Sequence, residues 1–115
     1  MRRFTVRPRI RVVAEDGTIA LGPGKADLLD AIARTGSIRA AASELGMSYM
    51  RAWTLIRTMN AAFRSPLVEK ARGGSEQGGA RLTPRGEQVL DLYKQMEQEA
   101  EKAVTRSWRV LRRHL

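Results

Sequence analysis

Thr35-Gly36-Ser37-Ile38, then Ala40-Ala41-Ala42, then Leu45-Gly46-Met47-Ser48 running into Tyr49-Met50-Arg51-Ala52-Trp53-Thr54-Leu55-Ile56-Arg57, is the stretch that decides the fold. Gly36 suits the left-handed position after a helix, and Ser37 suits the N-cap of the next one. The helix that follows, about 38–45, is short, with Ile38, Ala41, Ala42 and Leu45 as its apolar set. Its run of alanines supplies the small residues that a crossing helix needs. Gly46 tolerates a left-handed turn, Met47 is apolar, and Ser48 caps a third helix over about 49–63. Ala52, Leu55, Ile56 and Met59 recur at helical spacing and are expected inside. Tyr49, Met50, Trp53, Thr54 and Arg57 then lie outside, and Asn60 to Pro66 is expected to unwind the helix.

Outward from that stretch the chain is punctuated clearly. On the N-terminal side, Gly22-Pro23-Gly24 opens a helix over roughly 24–35 with Leu28, Leu29 and Ile32 as its core stripe. Before it, Val6, Pro8, Ile10 and Val12 alternate with Arg7, Arg9 and Arg11, and Glu15-Asp16-Gly17-Thr18 supplies turn chemistry before Ile19 and Leu21. This predicts an N-terminal hairpin over 4–22, with Pro8 marking an edge strand. Its arginines are either a solvated strand face or phosphate contacts. On the C-terminal side, Leu67-Val68-Glu69-Lys70-Ala71 and Ala80-Arg81-Leu82 flank a tip, Arg72 to Gly79, that holds four glycines in eight residues. Thr83-Pro84 is a strong helix start. No proline follows it and no glycine follows Gly86, so one helix is expected to about Arg112, or ~43 Å long at 1.5 Å per residue.

Helix, short alanine-rich helix, glycine turn, helix and glycine-tipped hairpin, in that order, make a winged helix-turn-helix. The expected fold is mainly α with small β-hairpins. It comprises a DNA-binding domain over 1–83 (hairpin 4–22, helix-turn-helix 37–63, wing 67–82) and a long dimerisation helix over 84–115.

Charge agrees with that reading. The chain has 115 residues and a net charge of +9, from 21 Lys/Arg against 12 Asp/Glu. Such a balance favours a polyanionic partner, with nucleic acid ahead of an anionic membrane. There is no cysteine, and the single histidine is His114. Thiolate chemistry, Cys-ligated zinc and histidine catalysis therefore lack material. No nucleophile–base–orienter set can be assembled either. No enzyme activity, metal or cofactor is expected. No apolar run approaches the ~18 residues of a membrane span, and Met1-Arg2-Arg3-Phe4 leads into no signal-like stretch. A cytoplasmic protein with no membrane partner is expected.

The outward face of the third helix has the chemistry of a major-groove reader. Arg51 and Arg57 offer donors to guanine edges or phosphates, Ser48, Tyr49 and Thr54 offer hydroxyls, and Met50 can meet a thymine methyl. Trp53 borders both faces, so it either packs or touches DNA, and Tyr49 is equally open. In this docking mode the N-terminal half of the helix enters the groove, so Ser48 to Thr54 rank ahead of Arg57 for base contact. Ser37 and Arg39, at the start of the preceding helix, complete the candidate contacts on this side. From the wing come Lys70, Arg72 and Arg81, unless the tip is only a surface loop. The partner expected is double-stranded DNA.

One resemblance is specific. Thr35-Gly36-Ser37-Ile38, Ala41-Ala42, Leu45-Gly46-Met47-Ser48-Tyr49, Ala52-Trp53, Ile56, Met59-Asn60, Pro66-Leu67-Val68-Glu69, Gly73-Gly74 with Gly78-Gly79, and Leu82-Thr83 resemble the N-terminal DNA-binding domain of the molybdate-responsive ModE regulators. The resemblance runs from about Leu21 to Tyr93, and part of it is shared with the broader LysR-type winged-helix group. It implies a domain that dimerises largely through the long helix after the wing and binds operator DNA. The recognition helix would be Ser48–Asn60 and the wing Leu67–Leu82. Members that sense molybdate carry C-terminal β-rich oxyanion-binding domains. This chain stops at Leu115 with a basic helix, so no molybdate site is expected in it.

In the long helix, Val89, Tyr93, Met96, Ala100, Ala103, Ser107 and Val110 repeat at spacings of four and three, a heptad seam for a partner helix. Val104, Trp108, Leu111 and Leu115 make a second stripe. The first two turns should cover the domain's own core and the rest a second subunit. Val89, Tyr93, Met96, Ala100, Ala103 and Val104 are the candidate dimerisation residues of a homodimer. Glu87, Asp91, Glu97, Glu99 and Glu101 precede Lys102, Arg106, Arg109, Arg112 and Arg113. An antiparallel pairing would set acid against base; the competing role for the basic tail is a further DNA or membrane-surface contact. Two other functions remain open: a protein-association module presenting Trp108, Leu111 and Leu115, or a basic protein that binds DNA or RNA without sequence preference.

Overall fold

The computed structural model describes residues 2–71 and 79–115. Its first strands, β1 (Val12–Val13) and β2 (Ile19–Leu21), pair antiparallel. Between them the Thr18 amide donates to Asp16 Oδ1 at 2.9 Å, and Gly17 takes φ 91°. The hairpin expected over 4–22 is therefore much shorter, because residues 4–11 pair with no strand. Pro8 has no amide to give a ladder, and the carbonyl of Ile10 is taken by the Tyr93 hydroxyl at 2.7 Å. The alternation still shows as burial: Val6, Pro8 and Ile10 are half-buried while Arg7, Arg9 and Arg11 are exposed. It fails at Val12, which is exposed, because the ladder slips between Val12 and Val13 and resets the alternation.

Three helices form the centre: α1 (Pro23–Thr35), α2 (Ile38–Glu44) and α3 (Tyr49–Ala62). Local chemistry sets their ends. Gly36 lies at φ 70° with its amide on the Ile32 carbonyl at 2.8 Å, and Gly46 lies at φ 67°. Ser37 Oγ accepts from the Ala40 amide at 3.0 Å, and Ser48 Oγ from the Arg51 amide at 3.1 Å. Such caps each contribute about 1 kcal/mol. Leu28, Leu29 and Ile32 of α1 meet Ile38, Ala41 and Ala42 of α2 and Ala52, Ile56 and Met59 of α3 in one core. Full burial of each large apolar side chain contributes ~1.5–3 kcal/mol. Ala40 is exposed, so the helix crossing rests on Ala41, Ala42 and Ala52. Asn60 does not unwind α3, which continues to Ala62.

The second pair, β3 (Val68–Lys70) and β4 (Ala80–Leu82), matches Val68 with Leu82, Glu69 with Arg81 and Lys70 with Ala80. A bridge between Ser37 and Gly79, with the Ala80 amide on the Gly36 carbonyl at 3.1 Å, ties this hairpin to the start of α2.

After the wing comes α4 (Pro84–Ala103), then α5 (Thr105–Leu111) and a short 3-10 turn (Arg112–His114). Thr83 caps α4 by accepting from the Gly86 amide at 3.0 Å and donates its hydroxyl to the Pro66 carbonyl at 2.7 Å. Gly86 lies so close to the wing that an added Cβ would stand 2.1 Å from the Leu67 carbonyl oxygen. The single helix expected to Arg112 is broken at Val104, at φ −94°, ψ 1°. The β-branched pair Val104-Thr105 sits there, and the Thr105 hydroxyl donates back to the Glu101 carbonyl at 3.1 Å, a contact that bends helices. The radius of gyration is 16.6 Å, against the ~13 Å of a compact chain near this length, and the projecting tail accounts for the difference.

Candidate nucleic-acid interface

Between Glu44 and Glu69 the chain carries no carboxylate, while Arg51, Arg57 and Arg64 all fall in that interval. α3 occupies most of it. At about 100° per residue its side chains sort into three zones around the axis. Ala52, Ile56 and Met59 are buried. Met50, Thr54, Arg57 and Ala61 point the opposite way and are exposed, Met50 by 67%. The Thr54 hydroxyl donates to the Met50 carbonyl at 3.0 Å, which leaves its oxygen free to accept.

The two flanks differ. On one, Tyr49 and Trp53 are half-buried against the core, with ring centroids 6.2 Å apart in an edge-to-face arrangement. The Arg39 guanidinium lies over the Tyr49 ring at 4.6 Å. This stack joins α2 to α3, and Tyr49 and Trp53 each stay partly exposed. On the other flank Arg51 turns away from the wing toward the N-terminal hairpin, beside Arg11 and Lys25. Among the sequence candidates, then, Met50, Thr54 and Arg57 share the outer face. Ser37 and Ser48 use their oxygens as caps, Arg39 covers Tyr49, and Arg51 stands apart.

On the wing, Val68, Ala80 and Leu82 face inward while Glu69, Lys70 and Arg81 face solvent. Arg81 is not a free cation: its Nε bonds Glu69 Oε1 at 2.9 Å across the ladder. Lys70 is exposed, and Arg72 lies outside the described residues.

Asn60 is the residue that sequence reasoning missed. Its Oδ1 accepts from the amides of Leu67 and Val68 at 2.8 and 3.2 Å, and its Nδ2 donates to the Val68 carbonyl at 3.1 Å. A side chain of α3 thus holds the first strand of the wing. The available signal was an amide four residues after Ile56, on the core face, where an apolar residue would otherwise continue the stripe.

The candidate seam is altered at Tyr93 and interrupted at Val104. Tyr93 is 1% exposed and packed within its own domain, so it does not face a second chain. Val89 is half-buried against the same core. Met96 and Val104 are about 40% exposed, Ala103 is exposed and Ala100 half-buried. The interruption at Val104 separates Ser107 and Val110, on α5, from the α4 part of the stripe. Burial holds the Tyr93 hydroxyl above its ordinary pKa, with Glu97 and Asp27 adding to the effect. Beside it, Asp30 accepts from Lys94 at 2.8 Å and from Arg34 at 3.0 Å, and Arg34 also pairs with Glu44, so this network links α1, α2 and α4. Lys94 first, and then Arg34, hold the Asp30 carboxyl below its ordinary pKa.

Among the described residues no group of His, Asp and Glu is placed to hold a metal, and no helix is long and apolar enough to cross a membrane.

The pattern of the bacterial regulatory helix-turn-helix proteins of the lysR family matches residues 25–87. The molybdenum-pterin-binding protein MopB of Rhodobacter capsulatus is 46% identical over 82 residues, covering 71% of this chain and 30% of MopB. The DNA-binding transcriptional dual regulator ModE of Escherichia coli (strain K12) is 42% identical over 81 residues, covering 70% of this chain and 31% of ModE. The chain thus spans about a third of the length of the curated relatives it matches. Among solved structures, the CbnR DNA-binding domain in complex with DNA superposes with a TM-score of 0.61 at 22% identity, covering 76% of this chain and 95% of that one. That likeness establishes the winged-helix fold.

Proposed function

The chain belongs to the lysR family of bacterial regulatory helix-turn-helix proteins, and from that membership we propose that it reads duplex DNA sequence-specifically, as a homodimer, to regulate transcription in the cytoplasm. Members of this family are regulators and not enzymes, and the relatives matched over the winged-helix segment include a transcriptional regulator. The observation that carries the reading is the outer face of α3. Met50, Thr54 and Arg57 are exposed together on an acid-free helix whose opposite side is fully buried. In the major groove Arg57 can offer paired donors to guanine, and Met50 can meet a thymine methyl. Lys70 of the wing and Arg39 at the start of α2 would contact phosphates, which position the helix without reading sequence. Molybdate binding is no part of the proposal for these residues.

The homodimer is proposed on two grounds. One recognition helix covers only a few base pairs, and two-fold pairing sets two such helices about one DNA turn, ~34 Å, apart. On the protein side, Leu92, Met96, Val104, Val110 and Leu111 lie exposed along α4 and α5. Selection of bound sequences from a random duplex pool is the test. A palindromic consensus is expected; recovery of unenriched sequences would show binding without sequence preference. Substituting Glu at both Met96 and Ala103 should halve the mass measured by light scattering, and an unchanged mass would place the interface elsewhere.

A further inference from the structure

A groove of about 280 Å³ lies on the flank of α3 that faces away from the wing, where Arg9, Arg11, Lys25 and Arg51 line it and no carboxylate among the described residues does. Its cations come from three separate elements. Arg51 stands in the first turn of α3 and Lys25 in the first turn of α1, while Arg9 and Arg11 lie on the N-terminal segment. That segment is anchored. Ile10, between the two arginines, packs against the core, and its carbonyl accepts from the buried Tyr93 hydroxyl at 2.7 Å. Arg9 and Arg11 therefore project from a held backbone instead of a free arm. The Lys25 amine donates to the Ile19 carbonyl, which keeps it beside the hairpin. Cations that line one groove repel one another, and of the four Arg9 also borders the carboxylates Asp27, Glu97 and Glu101 in a neighbouring cleft; an anion seated among them lowers that cost.

We infer that this groove seats a backbone phosphate of the duplex that α3 enters, an inference resting on the DNA-reading role proposed for α3. A helix lying in the major groove, about 12 Å wide, has one phosphate strand on each side of it. The wing and the start of α2, tied together by the Ser37–Gly79 bridge, serve one side. The N-terminal segment serves the other, and Arg51 becomes a phosphate contact instead of a base reader. The match to the lysR family begins only at residue 25, so Arg9 and Arg11 stand on a segment outside the shared helix-turn-helix. They widen the footprint of this chain beyond what that unit alone covers.

The test is the salt dependence of duplex binding by the full chain, measured on the selected consensus and on an unrelated duplex of equal length. Arg9→Gln/Arg11→Gln should lower the slope of log K against log salt by up to about 0.9, the value for the one phosphate seated in the groove. Affinity for both duplexes should fall by the same factor. Arg106→Gln/Arg109→Gln, which removes the same charge from α5, is the control. An unchanged slope for the Arg9/Arg11 variant, or an equal drop in the control, would overturn the inference. If the unmodified chain shows no preference for any selected sequence while the slope of the Arg9/Arg11 variant still falls, sequence reading by α3 fails and the phosphate groove stands.

Discussion

Between Leu21 and Tyr93 the large apolar side chains are mostly consumed by the fold, while from Lys94 to Leu115 not one residue is buried. The first region is closed by contacts that bind elements to each other: Asn60 to the wing, Gly86 to Leu67, Gly36 to Ala80. The second keeps helical geometry and leaves its apolar residues in water, with Leu111 at 55% and Leu115 at 62% exposed. Secondary structure alone therefore does not separate a finished core from apolar surface left in water. Substitutions should separate the two regions sharply.

The largest effect is expected at Gly86. A Cβ there meets the main chain of Leu67, and that main chain is itself held by Thr83 and Asn60. Gly86→Ala should cost about 4 kcal/mol or more, read as a collapse of the urea midpoint. A near-normal midpoint would mean that the α4–wing junction yields easily.

Next comes a matched pair. Ile56→Ala removes a side chain that is 1% exposed and should cost about 3 kcal/mol. Leu111→Ala on α5 should stay within about 0.5 kcal/mol when the chain is dilute enough to be monomeric. Equal losses would erase the contrast between the regions.

Asn60→Ala strips the acceptor from two amides and should cost about 1–2 kcal/mol. Faster amide exchange confined to β3 would accompany it. Exchange unchanged at Leu67 and Val68 would show that the wing is held by other contacts.

The smallest effect is that of pH on Asp30. Its carboxyl is held low by Lys94 and Arg34, so its contribution is complete above the ordinary value of 3.8 and is lost as pH falls through the depressed one. The side chain is 35% exposed, which limits the contribution to a few tenths of a kcal/mol. The gap between the parent and Asp30→Asn midpoints should close in strong acid; a gap that widens there would reverse the sign.

What could be read from the sequence was whatever neighbours in the chain decide. Ser37, Ser48 and Thr83 cap helices, and Gly36 and Gly46 turn left-handed, because each needs only a residue or two on either side. Periodicity placed Leu28, Ile32, Ile56 and Met59 inside for the same reason. The misses involve partners far away. Tyr93 fits a heptad seam by spacing, yet its ring fills the domain and its hydroxyl serves a carbonyl 83 positions earlier. The Gly86 approach to Leu67 and the Asn60 hold on β3 exist only once the wing has folded back. The break at Val104 needed no distant partner, but no proline or glycine announces it. For the interface, periodicity separated Met50, Thr54 and Arg57 from the core but not from Arg51, whose flank becomes distinct only once the hairpin is in place.

Asn60 fastens β3 to α3, and the Gly36–Ala80 bond fastens β4 to the end of α1, so these two strands and α3 are spaced like the jaws of a caliper. Opening it to suit a different groove width would break those bonds. For a reader of duplex DNA the adjustment falls on the nucleic acid, so base pairs that bend or widen cheaply are favoured even where no side chain reaches them.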